Sequence, residues 1–115
     1  MAITSGLLGK LGGADVEVTP VEMDGSGDRY SDVLMHTVKV PAGETWMVAM
    51  EGFLTVTTVG SASPQLVIGT TISPRRTNSG TKGLAHIGTG TIAIKVRRNG
   101  GRSDAFIGHV YAFKL

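Results

Sequence analysis

The chain has 115 residues, no cysteine, seventeen glycines and a formal net charge of +2. That length makes one domain, with a core large enough to stand without covalent staples. The missing thiols exclude a disulfide framework and thiolate-held metal, and no apolar run approaches the ~20 residues that span a bilayer.

Residues 1–13 hold four glycines together with Leu7, Leu8 and Leu11, and fit neither helix nor strand. A frayed terminus is one reading. Three leucines on a solvated tail are a solubility hazard, which favours an arm buried against a neighbouring subunit. Gly6-Leu7-Leu8-Gly9 is too short for the apolar core of a signal peptide, so synthesis and use in the cytoplasm are expected.

From residue 14 onward the pattern is β. Thr and Val are frequent, no stretch carries helical apolar spacing, and turn signals recur. Strands are expected near 15–23, 33–40, 44–50, 53–59, 65–72, 84–87, 90–98 and 104–114. The clearest segment runs from His36 to Met50. Val38 and Val40 alternate with Thr37 and Lys39, a turn follows, and Trp46, Val48 and Met50 resume the alternation. Pro41 is expected at the first central position of that turn, with Gly43 supplying freedom after it. Glu51-Gly52 interrupts a run too long for one ordinary strand and suggests a bulge or a sheet-switching bend. Ile92, Ile94 and Val96 lead into Asn99-Gly100, which reads as a hairpin pairing back from Phe106. Phe106 to Phe113 reads as a central strand covered on both faces. Trp46, Phe53, Phe106 and Phe113 fall at core-like positions. Seven or eight such strands make an all-β, antiparallel β-sandwich, jelly-roll or Greek-key like, over residues 14–115.

Charge is uneven along the chain. Residues 1–57 hold eight acids and three bases, and residues 58–115 hold one acid and eight bases. Such polarity suits copies that meet acidic region to basic region. The alternative is that interleaved strands bring both signs together within one subunit. Arg75, Arg76, Arg97 and Arg98 stand at loops or strand ends, but the chain's six aromatics are not interleaved with them as a single-strand binder requires. No nucleic-acid partner is expected, and the arginines are better used on an acidic protein surface.

Little chemistry remains. His36, His86 and His109 lie on separate expected strands without metal-ligand spacing, so no metal or cofactor is expected. Gly88-Thr89-Gly90 leads into a strand, and no helix start is there to hold a phosphate. Serines sit in turns without a nucleophile elbow. Asp24, Asp28 and Asp32 share a Gly/Ser-rich loop that lacks the closing Glu of a calcium-binding loop. An ordinary solvated turn is expected there. An enzyme is not expected.

The opening Met1-Ala2-Ile3-Thr4-Ser5-Gly6-Leu7-Leu8-Gly9-Lys10-Leu11, with Thr37-Val38-Lys39-Val40-Pro41-Ala42-Gly43-Glu44-Thr45-Trp46-Met47-Val48, resembles small virion proteins of tailed bacteriophages. Those proteins often begin with a similar Gly-x-Leu-Gly phrase and place a Val-Pro-Ala-Gly turn early in a β-sandwich. The acidic stretch 15–32 departs from their pattern. The resemblance implies a capsid decoration (cement) protein made in the host cytoplasm and located on the virion. Its partner would be the major capsid protein, and it would act as a homo-oligomer, a trimer being favoured. Leu7, Leu8 and Leu11 are then the expected arm contact, and Arg75, Arg76, Arg97 and Arg98 the charged contact. A tail or head-fibre sandwich that binds a host receptor or glycan is the alternative.

Overall fold

The computed structural model describes residues 16–57 and 60–115. The expected arm, residues 1–13, lies outside them. Eight strands follow in order: β1 (Val16–Met23), β2 (Asp32–Lys39), β3 (Trp46–Thr55), β4 (Gln65–Ile68), β5 (Thr71–Ile72), β6 (Gly80–Gly88), β7 (Thr91–Arg97) and β8 (Ala105–Lys114). One 3-10 turn, Gly60–Ala62, precedes β4.

Two antiparallel four-stranded sheets form the sandwich, in the orders β1-β8-β3-β6 and β2-β7-β4-β5. The pairing is nested: first strand with last, second with seventh, third with sixth, fourth with fifth. A chain paired this way is one long hairpin rolled into two sheets, which is the jelly-roll threading. Its innermost turn is Gly69-Thr70, where Gly69 has φ +58°.

This threading revises three local expectations. Asn99-Gly100 does not close a hairpin, because β7 pairs with β2 and β4 while β8 pairs with β1 and β3. The segment is an arch between sheets. The turn after β2 is another arch: Glu44 N donates to Pro41 O at 3.1 Å, and Gly43 has φ +81°. Pro41 is therefore the first turn residue, and Gly43 takes the position that demands positive φ. Finally, β3 runs unbroken through Glu51-Gly52, in continuous register with β6 and β8.

Gly52 explains that continuity. It faces Gly108 across the strand pair, and a Cβ there would meet the Ile107 carbonyl, the Gly108 Cα at 2.6 Å and the Phe106 ring at 2.7 Å. The missing side chains let the Phe106 ring occupy the inner surface, so no bulge is needed. The bulge lies instead in β2, between Leu34 and His36.

The core fills the space between the sheets. Val48, Met50, Leu54, Phe106 and Val110 from one sheet meet Leu66, Ile68, Ile92, Ile94 and Val96 from the other, all buried. Each such side chain contributes about 1.5–3 kcal/mol. His86 bridges the sheets at one edge, its Nδ1 2.9 Å from Thr71 Oγ1 and its ring against Gly69 and Gly88.

A buried polar knot closes one end. Asp104 is fully buried and accepts from Thr57 N and Thr57 Oγ1, each at 2.8 Å. Arg98, 3% exposed, donates to the Asp24 carbonyl at 2.7 Å and the Asp104 carbonyl at 3.1 Å. Its backbone N–H donates to Ser31 O. One guanidinium thus pins the loop before β2 to the loop before β8. Nearby, Arg97 donates from two guanidinium nitrogens, Nε and Nη2, to the Asp32 carboxylate oxygens at 2.9 and 3.2 Å.

The Gly52→Val substitution is expected to destabilise the protein by about 1–3 kcal/mol, the usual range for an overpacked site, read as a shift in denaturant midpoint. The Arg97 hydrogen bonds and charge hold the Asp32 carboxyl below its ordinary value of 3.8. A lowered folded value adds stability above that ordinary value, and the gain is lost as pH falls through the lowered one. Asp32→Asn should therefore lower Tm at neutral pH, by an amount equivalent to at most about 1 kcal/mol for a partly exposed pair. The wild-type and variant Tm curves should converge in acid.

Candidate functional site

Strand parity decides which side chains leave the core. In the β1-β8-β3-β6 sheet the inward row of β3 is Trp46, Val48, Met50, Gly52 and Leu54. Its outward row is Met47, Ala49, Glu51 and Phe53. The registers carry this row across the sheet, to Ile107, His109, Tyr111 and Phe113 on β8, and to Thr81, Gly83, Ala85 and Ile87 on β6. On β1 it continues through Val18, Pro20 and Glu22.

This outer face is mostly apolar. Ile107 is 58% exposed, Ile87 56% and Phe53 47%. Shallow hollows run between them, one bounded by Pro20, Glu51, Phe53, Ile107 and Tyr111, another by Ala49, Ala85, Tyr111 and Phe113. An antiparallel sheet that ends at water normally alternates apolar-in with polar-out. The opposite sheet comes closer to this: Asp32, Thr37, Lys39, Thr91, Lys95 and Arg97 occupy outward positions, alongside Leu34, Val67, Ile72 and Ala93. The outward rows of the first sheet carry three ionisable groups besides Tyr111, namely Glu22, Glu51 and His109. Burial and the Glu51 carboxylate push the Tyr111 phenol above its ordinary value, and the His109 ring lies 6.1 Å from the Tyr111 ring.

Phe53 and Phe113, expected in the core, belong to this face. The last strand is central in its sheet, between β1 and β3. It is covered by the core on one side, and on the other it presents the exposed Ile107. The alternation in β3 hides the face from a sequence reading, because both rows are apolar. The visible signal is the density of Met, Ala and Phe at the positions where polar residues belong.

The sequence-predicted contact residues are placed differently. Arg98 is buried and serves the loop knot, so it is removed from the surface contact. Arg97 is bound to Asp32. Arg75 is exposed and donates to Ser61 O at 3.1 Å, and Arg76 reaches Gly83 O at 3.3 Å. Leu7, Leu8 and Leu11 lie outside the described residues. Of the two charge readings, interleaving is seen: Asp32–Arg97 and Glu44–Lys114 join the acidic and basic halves within one subunit.

The remaining candidates are accounted for locally. Asp24 Oδ1 accepts from Ser26 N and Ser26 Oγ, and these bonds lower its carboxyl below the ordinary value. Asp28 Oδ1 accepts from Tyr30 N at 2.9 Å. Both carboxylates fold their own loop. Among the described residues, no group of three His, Cys, Asp or Glu is placed to hold a metal ion. No helix among them is long and apolar enough to cross a membrane.

Comparison of the chain with protein-family models and with curated proteins finds no match.

An interaction face should be dispensable for folding. Ile107→Glu is expected to change stability by no more than about 0.5 kcal/mol, as at ordinary surface positions. The unfolding midpoint in denaturant, compared with that of the unaltered protein, checks this.

Proposed function

We propose that this chain is a structural protein of a tailed-phage virion, a decoration (cement) protein that binds the head as a homo-oligomer, a trimer being favoured. The observation that carries the reading is the apolar outer face of the β1-β8-β3-β6 sheet, which a lone subunit leaves in water. A contiguous apolar surface of this kind marks an interaction site, and burial there supplies roughly 25 cal/mol per Å².

Other features agree with that role. The jelly roll recurs in viral capsid and lectin domains, a likeness of fold and not of site. The Val40-Pro41-Ala42-Gly43 turn and the Gly6-Leu7-Leu8-Gly9 phrase resemble those of phage virion proteins. The site is dominated by apolar contact area, which suits a protein whose work is adhesion to the major capsid protein. Leu7, Leu8 and Leu11 supply further apolar contact, and exposed Arg75 is the arginine best disposed to meet an acidic capsid surface.

Mass spectrometry of purified virions of the encoding phage tests the proposal. A copy number comparable with that of the major capsid protein is expected. A few copies per particle would replace the reading with a tail or head-fibre component, and absence from the particle would overturn it.

A further inference from the structure

The outer sheet face has a chemistry that selects its occupant. Apolar rows flank Glu51 on a central strand, with His109 as its cross-strand neighbour on β8, and Glu22 stands at the β1 side. A good ligand is therefore apolar and carries a cation. Two copies packed face to face would set Glu51 against His109 about a two-fold axis along the strands, and Glu51 against Glu51 about an axis across them. Burying like charges, as in the second arrangement, is costly.

The part of the chain outside the described residues has the required composition. Residues 3–11 carry Ile3, Leu7, Leu8 and Leu11, one cation, Lys10, and no acid. Their point of attachment borders the same face. Val16, the first residue of β1, pairs with Phe113 at the end of the sheet. The chain thus enters the edge strand β1 from that end of the sheet. Fifteen residues precede β1, and fully extended they reach on the order of 50 Å. The longest dimension of the described protein is 40 Å. The segment is thus long enough to cross the sheet of a neighbouring copy, whereas lying on its own face requires a reversal at the sheet's end.

We infer that residues 3–11 of one copy lie over the outer face of the β1-β8-β3-β6 sheet of the next copy, with Leu7, Leu8 and Leu11 on its apolar rows and Lys10 beside Glu51. The contact is heterologous, arm to face, so it closes into a ring when the rotation between copies allows. This deepens the proposed self-association but does not depend on a phage head.

The absence of cysteine makes the test direct. Purified Leu8→Cys protein is mixed with purified Ala85→Cys protein and oxidised. Ala85 is small, exposed and on the face, so the thiol there is tolerated. Thr91→Cys, on the polar outer surface of the opposite sheet, serves as the collision control. The mixed disulfide with Ala85→Cys is expected to exceed the control about tenfold, because docking raises the local thiol concentration. Adding Glu51→Lys to the Ala85→Cys chain should reduce that yield, and Lys10→Glu on the Leu8→Cys chain should restore it. A yield equal to the control overturns the inference. So does a disulfide that forms only within single chains of a Leu8→Cys/Ala85→Cys double variant, since the arm would then cover its own face. Efficient cross-linking by a protein absent from virions would sink the decoration role and leave the arm exchange standing.

Discussion

Pairing of the first strand with the last is the constraint on which this fold depends. β1 completes its sheet only against β8, and every inner pair is nested within that closure. Loop-closure entropy must be met before such distant contacts repay it. The repayment is concentrated in few places: Phe106 over Gly52, the valine and isoleucine rows between the sheets, and the Arg98–Asp104 knot. That knot sits where the arch from β7 to β8 passes the loop from β1 to β2. It ties the two outer layers of the nest together through two buried polar side chains.

The same nesting sets up the interaction face. β3 and β8 are the longest strands, ten residues each, and they lie side by side in the middle of one sheet. The opposite sheet covers their inner rows and leaves their outer rows to solvent. Those outer rows hold Met47, Ala49, Phe53, Ile107, Tyr111 and Phe113, so the sheet is built like a middle layer although it forms an outer one. Pro20 on β1 removes one donor from a free edge, which discourages strand addition there. That leaves the face of the sheet, rather than that edge, as the proposed contact surface.

Much of the architecture could be read from alternation and turn chemistry. The strands expected at 15–23, 33–40, 90–98 and 104–114 lie within a residue of their observed bounds, whereas 65–72 is a hairpin of two strands and 84–87 is part of the longer β6; glycines at tight positions such as Gly43 were recognisable. Connectivity was not. Asn99-Gly100 has the composition of a hairpin turn, and only the preference of β7 for β2 and β4 shows it to be an arch. Glu51-Gly52 looked like an interruption because a glycine in a strand has two meanings, a bulge or a close approach of neighbouring backbone. The partner of that approach, Gly108, is distant in sequence. The site was hidden for a related reason: when both rows of a strand are apolar, period two cannot say which row is inside.

The charges point the same way. The acidic first half and basic second half are a striking feature only in linear order; folding interleaves them, and Asp32–Arg97 and Glu44–Lys114 spend part of the contrast within the subunit. What remains for partners is apolar area with an acid in its midst. Burial then provides the affinity, while Glu51 decides the occupant, because a carboxylate brought out of water demands a cation or neutralisation. A purely apolar face would accept any greasy surface, including its own copy. On the inference above, one carboxylate on the central strand favours a segment with the composition of the chain's own Leu7-Leu8-Gly9-Lys10-Leu11.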